Sequence, residues 1–426
     1  MLYQELIDCI IDFLHADRDA LSNCSLVCRD WLDPSRYHLL SSVCIKVNSP
    51  PPSFANAHTD ALNAFLACLD ISTFAIGGFI RSLTITAVGD FFRVKRTVVE
   101  VHSLVGVLKR LPRLREMRIF RIRFQAYTLD GASEPFISLK KLHLDQVALK
   151  PLDHSEMSPS LTFLHYFSHI GTLHIVSPSL DVEMPDGPVY LGLSSKAQAH
   201  KLMTVTECIL SPVWEDIADV FATVRHVLDT QSLQSITLSL VSPSQIVDAG
   251  QFVKDCAGLE SITINIDQFS ALYVEPGPDD WAKLNLSQAY IRMVTVSSGL
   301  VTNGDSPKSL VNWGYSTRII ASLSSPPALR KVNVRLICHN MRNRRSSTIS
   351  DICSAVEDLP WDMLQASVMQ LSRSVVELKV EVQLMRGIRV DGEKTGKAMN
   401  KCIDFIKGEL QMKRIGIEVQ FRVTNA

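Results

Sequence analysis

The sequence predicts an α/β chain in which a short helical head precedes a curved, horseshoe-like solenoid of strand and helix repeats. Two observations predict it: residues 2–36 read as three short apolar helices, and a six-residue apolar template recurs nine times further along. The chain has 426 residues, of which 46% are hydrophobic and 20% charged. It therefore has enough material for a large core and lies outside the composition range of disordered proteins.

The first predicted helix runs from Leu2 to His15 and has apolar residues on two sides. They fall into two stripes at helical spacing, Leu6, Ile10 and Phe13 in one and Ile7, Ile11 and Leu14 in the other. A helix with two apolar stripes requires burial on both. This pattern differs from that of an ordinary surface helix, which buries one face.

Two further short helices are predicted before residue 40. Asp17 is a candidate N-cap for the second helix and Ser25 for the third, while Pro34 is expected to end the third. Some thirty residues cannot build a self-sufficient core. The head is therefore expected to pack on the rest of the chain, on another protein, or on both.

The order and spacing of these residues resemble the F-box, in the variant abundant in fungal proteins. The matching residues are Leu2, Glu5, Leu6, Ile7, Ile10, Ile11, Phe13, Leu14, Asp19, Ala20, Leu21, Cys24, Ser25, Leu26, Val27, Cys28, Arg29, Trp31, Ser35 and Arg36. The resemblance implies a domain at residues 1–47 that docks onto the Skp adaptor of a Skp–cullin–F-box ubiquitin ligase. The adaptor-binding residues that it implies are Leu2, Leu6, Ile7, Ile10, Ile11, Leu14, Leu21, Leu26, Val27 and Trp31.

The head departs from the F-box pattern at one position. F-boxes usually open with Leu-Pro, and Tyr3 stands where the proline would be. Proline at a first helical position pre-sets φ without losing a hydrogen bond, so its absence loosens the start of the helix. This departure keeps open a second hypothesis, a repeat-type interaction scaffold that does not engage the ubiquitin ligase.

A proline-rich segment, Asn48 to Ser53, is the clearest predicted boundary, because its three successive prolines favour an extended chain and exclude helix. The second predicted domain, residues 54–426, carries the repeats. Each template has bulky apolar residues at positions 1, 4 and 6. The nine are Ile80/Leu83/Ile85, Leu114/Met117/Ile119, Leu139/Leu142/Leu144, Ile170/Leu173/Ile175, Leu233/Ile236/Leu238, Leu259/Ile262/Ile264, Ile291/Val294/Val296, Leu329/Val332/Val334 and Val375/Leu378/Val380.

This template is that of the strand in a leucine-rich repeat. Eight spacings separate the first positions, and the longest, 63 residues between Ile170 and Leu233, predicts one additional degenerate strand near Leu202 to Val205. Helical patterns lie between the strands, at 98–111, 215–228, 244–256, 362–371 and 397–410. A less regular α/β fold is the alternative to a repeat solenoid.

In such a solenoid, the residues between the template positions face the concave surface, where these proteins usually bind. The predicted target-binding residues are Arg115, Arg118, Lys140, Lys141, His143, Arg330, Lys331 and Arg335. The segment from Arg93 to Arg123 holds ten basic and two acidic residues. Since arginine pairs bidentately with phosphate, an acidic or phosphorylated target segment is one expectation, and an ordinary solvated face is the other. The residues of this surface do not indicate which protein is the target.

Charge and cysteine usage exclude several classes of function. A net charge of −1 and a pI near 6.9 argue against a protein that coats nucleic acid or an anionic membrane. The ten cysteines are scattered without a disulfide framework or zinc-site spacing, so most are expected to be reduced core thiols, with no metal or other cofactor. We expect an intracellular protein, cytoplasmic or nuclear, that is a non-catalytic subunit of the ligase.

The nearest approach to a catalytic motif is Gly387 to Thr395, which nearly spells a phosphate-binding P-loop. Glu393 stands where the lysine must follow the second glycine, so a carboxylate would face the phosphates. A nucleotide hydrolase is therefore not expected.

Overall fold

A computed structural model shows an α/β protein whose described strands form a 13-stranded parallel sheet and a separate two-stranded sheet. The structure describes residues 4–48, 60–71, 76–88, 97–125, 135–147, 163–176, 202–211, 221, 224–225, 227–240, 243–266, 284, 286, 290–301, 307–323, 328–339, 348–371, 374–385, 392–412 and 414–423. By the density of internal contacts, the chain divides into two compact units, Met1–Val205 and Thr206–Ala426. The predicted division between residues 47 and 54 stays a prediction, and residues 49–53 lie outside the described part.

The first unit begins with three helices, α1 (Gln4–Phe13), α2 (Arg18–Val27) and α3 (Arg29–Leu40). Asp17 caps α2 as predicted, and its side chain accepts a hydrogen bond from the Ala20 backbone N–H at 2.9 Å. The prediction that Ser25 caps the third helix is wrong. Ser25 lies inside α2 and donates to the Ser22 carbonyl, while Cys28, in an extended conformation, separates α2 from α3.

The prediction that Pro34 ends the third helix is also wrong, because α3 continues for six residues beyond it. Proline has no N–H to donate to the carbonyl four residues earlier, which here belongs to Asp30. That carbonyl instead accepts a hydrogen bond from the Gln4 side chain at 3.4 Å. The lost helical bond is thus replaced by one that ties α1 to α3.

The rest of the first unit is strand and helix. Its elements are β1 (Ser42–Asn48), α4 (Asp60–Ile71), β2 (Ser82–Val88), β3 (Thr97–Glu100), α5 (Val101–Lys109), β4 (Glu116–Phe120), β5 (Ile122–Gln125), β6 (Ile137–Asp145) and β7 (Phe167–Val176). In the main sheet the order is β1-β2-β4-β6-β7, and β3 pairs with β5 in the small sheet. The helix predicted from residue 98 starts at Val101, because the preceding residues join that small sheet.

The second unit follows the same alternation. Strand β8 (Met203–Ser211) begins in the first unit and is followed by β9 (Leu228–Asp229), β10 (Ser235–Ser239), α6 (Pro243–Asp255), β11 (Ser261–Asn265), β12 (Met293–Val301), α7 (Pro307–Ser322), β13 (Lys331–His339), α8 (Ile349–Glu357), α9 (Trp361–Gln370), β14 (Glu377–Leu384), α10 (Gly392–Glu409) and β15 (Gly416–Val423). The main-sheet order is β8-β10-β11-β12-β13-β14-β15, with β9 beside β8. Helices α6, α9 and α10 match predicted helices, whereas most of 215–228 lies outside the described residues.

The predicted templates align in register along the sheet. All of their apolar residues are buried. In the first unit the fourth positions form one row, Leu83, Met117, Leu142 and Leu173, and in the second they form another, Ile236, Ile262, Val294, Val332 and Leu378. The parallel sheet thus places every predicted template in an equivalent environment.

Three strands of the same kind were not among the nine templates. Cys208 of β8 pairs with Ile236, which confirms an additional strand within the long gap. At the ends of the sheet path, Val43 of β1 pairs with Leu83, and Ile417 of β15 pairs with Leu378. By register, the first position of the β15 template is Arg414. Because this first position is polar, the apolar template does not match the strand.

The same pair of backbone hydrogen bonds, which we call the backbone joint, precedes most strands of the main sheet. In seven cases the carbonyl of a second position accepts hydrogen bonds from two successive N–H groups at the start of the next strand. These pairs are Ser41 with Arg81 and Ser82, Arg81 with Arg115 and Glu116, Arg115 with Lys140 and Lys141, Gln234 with Glu260 and Ser261, Glu260 with Arg292 and Met293, Arg292 with Arg330 and Lys331, and Arg330 with Val376 and Glu377. The repetition therefore extends from side-chain pattern to backbone geometry.

Gly171 occupies the second position of its template, and its backbone lies unusually close to the Lys140 carbonyl. A Cβ at Gly171 would lie 2.7 Å from the Lys140 carbonyl oxygen, too close for any real contact. Gly171→Ala is therefore expected to lower the free energy of unfolding by about 1–3 kcal/mol, measured by urea denaturation. Gly396→Ala in α10 is the control, because its Cβ would meet open space and helical alanine is expected to add up to about 1 kcal/mol. Equal effects of the two substitutions would contradict the close approach.

None of the described helices is long and apolar enough to cross a membrane.

Candidate interaction surfaces

The three head helices share a small apolar core. Ile7, Ile11, Leu21 and Cys24 form its centre, and Leu14, Trp31 and Leu39 pack against it. Polar contacts hold the same helices together, since the Asp12 carboxylate lies 2.7 Å from the His38 ring and Arg18 donates to the Leu39 carbonyl at 3.0 Å. Four buried side chains are few for a unit of this size.

One of the two apolar stripes of α1, that of Leu6, Ile10 and Phe13, is exposed. Leu6 is 51% exposed, Ile10 41% and Phe13 86%, although they alternate with the core residues of the same helix. At the end of α2, Leu26 and Val27 are also exposed. Burying such a side chain contributes about 1.5–3 kcal/mol, so a partner that covers these residues would gain several kcal/mol of binding free energy.

The structure therefore divides the residues predicted to bind an adaptor into two sets. Ile7, Ile11 and Leu21 are buried in the head, and Leu14 and Trp31 pack against that core. Leu6, Ile10, Leu26 and Val27 are exposed. Leu2 lies outside the described residues. Phe13 was assigned by its spacing to the stripe of Leu6 and Ile10 but was left out of the predicted adaptor-binding set, and it is the most exposed member of that stripe.

A second surface is formed by strands β4 and β6 of the first unit and by Arg115, which lies just before β4 and whose carbonyl accepts from the Lys140 N–H. We call Arg115, Arg118, Lys140 and Lys141 the basic surface. Register places Glu116 beside Lys141 and Arg118 beside His143, on the side of the strands opposite the buried template residues. Among the described residues, none of the four cations has a carboxylate partner within ion-pair distance, which leaves their charge available.

Two histidines adjoin this surface on neighbouring strands. The rings of His143 and His174 lie 4.4 Å apart between centroids, and Phe120 lies 5.5 Å from His143. Burial lowers the pKa of His174 to about 4, with smaller contributions in the same direction from His143 and Lys141. Burial also lowers the pKa of His143, against an opposing contribution from Asp145. Both rings are therefore neutral near pH 7.

These shifts predict a pH-dependent stability. Between the unfolded histidine pKa of 6.5 and about 4, the unfolded chain binds a proton at His174 that the folded chain does not. The free energy of unfolding is therefore expected to fall as the pH drops through this window. His174→Phe, which keeps an aromatic ring beside His143, should reduce that loss in urea denaturation at pH 7 and pH 5. An unchanged loss would contradict the neutral-histidine assignment.

In the second unit, the cations at equivalent positions are paired across strands. Lys331 forms an ion pair with Glu377, Arg335 lies 3.6 Å from Glu381, and Lys379 lies 3.2 Å from Glu418. Arg330 donates to the Ser374 carbonyl at 3.2 Å, and Arg292 lies 3.9 Å from Glu260. The basic character expected around Arg330, Lys331 and Arg335 is thus compensated locally.

No protein-family model matches this chain, and a search of curated proteins found no match.

The described part of the chain holds no cluster of three or more metal-type side chains. The ring of His38 lies against the Asp12 carboxylate, at 2.7 Å. All ten cysteines are free, and Cys24, Cys208, Cys256, Cys338, Cys353 and Cys402 are buried. Most of the P-loop-like segment, residues 387–391, lies outside the described residues.

Proposed function

We propose that this chain is the target-recognition subunit of a Skp–cullin–F-box ubiquitin ligase. One observation carries the proposal: a helical head with the residue order of an F-box leaves Leu6, Ile10, Phe13, Leu26 and Val27 exposed. Exposed apolar groups on a small domain mark a protein interface. In this proposal the Skp adaptor covers them and links the chain to the cullin core.

We further propose that the twelve template strands are the repeats of an irregular solenoid of the leucine-rich-repeat type. The register of the buried rows and the repeated backbone joint support it, because equivalent, stacked units would produce both. The helices α6, α7, α9 and α10 supply the connections of such units.

The basic surface is the proposed docking site for the target. Its four cations lack described carboxylate partners, whereas Lys331 and Arg335 in the second unit face carboxylates of β14. An uncompensated group of arginine and lysine attracts an acidic or phosphorylated segment. No catalytic residue is required of this chain, because the transfer of ubiquitin belongs to its partners.

Titration calorimetry of the full chain with a purified Skp adaptor tests the proposal. Saturable one-to-one binding is expected. Absence of binding would leave the alternative, an interaction scaffold that does not engage the ligase. A cytoplasmic or nuclear location stays a prediction.

A further inference from the structure

Strand β15 has an open edge. It ends the path of the main sheet, and among the described strands none pairs with it on the side away from β14. Its eight residues, Gly416–Val423, keep an uninterrupted register with Glu377–Leu384 and include neither proline nor lysine. Proteins commonly use proline, lysine or a bulge to stop an edge strand from pairing with another chain. Strand β15 is therefore open to pairing with a further strand.

The backbone groups on the open edge follow from one hydrogen bond. The Gly416 N–H donates to the Val376 carbonyl, just before β14, at 3.0 Å. Because the backbone groups of successive residues in a strand point to opposite sides, the even-numbered residues of β15 face β14 and the odd-numbered ones face away. The residues whose N–H and C=O groups point outward are Ile417, Val419, Phe421 and Val423.

The two charges of β15 have partners on one side only. Among the described residues, Glu418 has Lys379 of β14 at 3.2 Å as its ion-pair partner. Arg422 likewise has only Glu381 of β14, at 3.8 Å, and the Glu418 and Arg422 side chains remain 50% and 64% exposed. Glu381 has a second cation on its other side, Arg335 at 3.6 Å, and its side chain is only 9% exposed. The alternation of charge across the strands thus stops at the open edge.

Two copies of β15 match each other when they run antiparallel with Gln420 opposite Gln420. Directly opposite residues of antiparallel strands share one face of the sheet. This register sets opposite charge against opposite charge on one face and apolar against apolar on the other. The pairs between the copies are Glu418 with Arg422, Ile417 with Val423, and Val419 with Phe421.

The backbone fits the same register. The apolar pairs join outward-facing residues, so they can exchange about eight hydrogen bonds in all, and the charged pairs are of the non-hydrogen-bonded kind, in which side chains are closest. A two-fold axis at Glu418 or Arg422 would instead place like charges together. An axis at Val419 or Phe421 would leave both charges without an opposite partner. Only the axis at Gln420 satisfies both the backbone and the charges.

We propose that the open edge of β15 is a self-association surface, on which a second copy of this chain continues the sheet antiparallel about a two-fold axis at Gln420. Strand β1, at the other end of the sheet path, has a single charge, Lys46, and offers no opposite charge to a second copy. Two eight-residue edges bury less than the roughly 1,600 Å² of a typical stable interface, so a micromolar dissociation constant is expected. The head has no part in this surface, so the inference is independent of the ligase proposal.

Sedimentation velocity of the full chain over a wide concentration range tests the surface, and a reversible monomer–dimer equilibrium is expected. Glu418→Arg sets arginine opposite Arg422, and Arg422→Glu sets glutamate opposite Glu418, at two places in each dimer. Each substitution should therefore weaken dimerisation at least about tenfold. An equimolar mixture of the two variants should recover most of the affinity. In the mixed dimer each introduced arginine faces an introduced glutamate, and the original Arg422 faces the original Glu418.

Glu260→Arg is the matched control. Glu260 is also half exposed and has one cation, Arg292, at 3.9 Å, but it lies just before β11, so dimerisation should not change. Gln420→Arg is a second probe. Its arginine can pair with Glu381 of the same chain, which is beside residue 420 by register, yet it sets like charges together at the two-fold axis and should weaken the dimer.

Three results would overturn the self-association surface. The first is a chain that stays monomeric at every concentration. The second is a dimer that Gln420→Arg leaves intact or that Glu260→Arg weakens equally. The third is a mixture of Glu418→Arg and Arg422→Glu chains, each with the circular dichroism of the unmodified protein, that fails to dimerise.

Discussion

Ile11→Asp is expected to unfold the three head helices. Ile11 is fully buried in the core formed with Ile7, Leu21 and Cys24. Losing a buried isoleucine costs about 2–5 kcal/mol, and an unpaired carboxylate in its place adds several more. A core of four residues cannot absorb that loss. Hydrogen–deuterium exchange on the full chain should show that the backbone amides of α1, α2 and α3 lose protection.

Ile10→Asp is the matched control for this change. Ile10 is the preceding residue of the same helix but belongs to the exposed stripe. A carboxylate there remains hydrated, so the protection of the head amides should stay near that of the unmodified chain. If Ile11→Asp also keeps the head protected, the core has been assigned to the wrong residues.

Arg118→Glu is expected to weaken the binding of an anionic segment more than any other single change on the strands. The substitution replaces an exposed cation without a described carboxylate partner by an anion, beside His143. Each close charge pair is worth about 1 kcal/mol in water and more near a protein surface, so reversal should cost at least about tenfold in affinity. A synthetic peptide carrying two phosphoserines, followed by fluorescence anisotropy at low salt, measures it.

Arg292→Glu provides the comparison in the second unit. Arg292 is also exposed, but it lies 3.9 Å from the Glu260 carboxylate and is therefore already compensated. We expect little change in peptide affinity. Equal losses from both substitutions would indicate a non-specific response to net charge and would remove the basic surface as the docking site.

The repeated strands could be predicted from the sequence because the apolar template of each strand lies within six consecutive residues. Positions 4 and 6 of a template point to the same side of the strand, and position 1 is a buried residue that in most repeats lies just before the strand, so burial leaves a pattern within six residues. Strand β15 was missed because Arg414 occupies its first position, and β8 was predicted only from the length of the gap because its template, Val205, Cys208 and Leu210, has a cysteine at its centre. Helix α3 was cut short in the prediction because a distant side chain, Gln4, replaces the bond that Pro34 cannot make.

The surfaces were harder to predict, because they depend on neighbours across strands and helices. The sequence predicted Arg115, Arg118, Lys331 and Arg335 alike as target-binding residues. Only register shows that Lys331 and Arg335 face Glu377 and Glu381, while Arg118 faces His143. In the head, spacing separated the two stripes of α1, but which stripe is the core depends on how α2 and α3 pack.

We propose that the exposed stripe of the head, Leu6, Ile10 and Phe13, binds a Skp adaptor. Titration calorimetry with purified adaptor, comparing the full chain with its Phe13→Glu and Met369→Glu variants, tests it most directly. Phe13 and Met369 are both exposed apolar residues near the end of a helix, the first in the head and the second in α9. A lost interface anchor of 2 kcal/mol or more corresponds to about 30-fold in affinity. We predict one-to-one binding that Phe13→Glu weakens by at least about 30-fold and Met369→Glu leaves unchanged. No binding by the unmodified chain, or equal affinities for all three proteins, would contradict the claim.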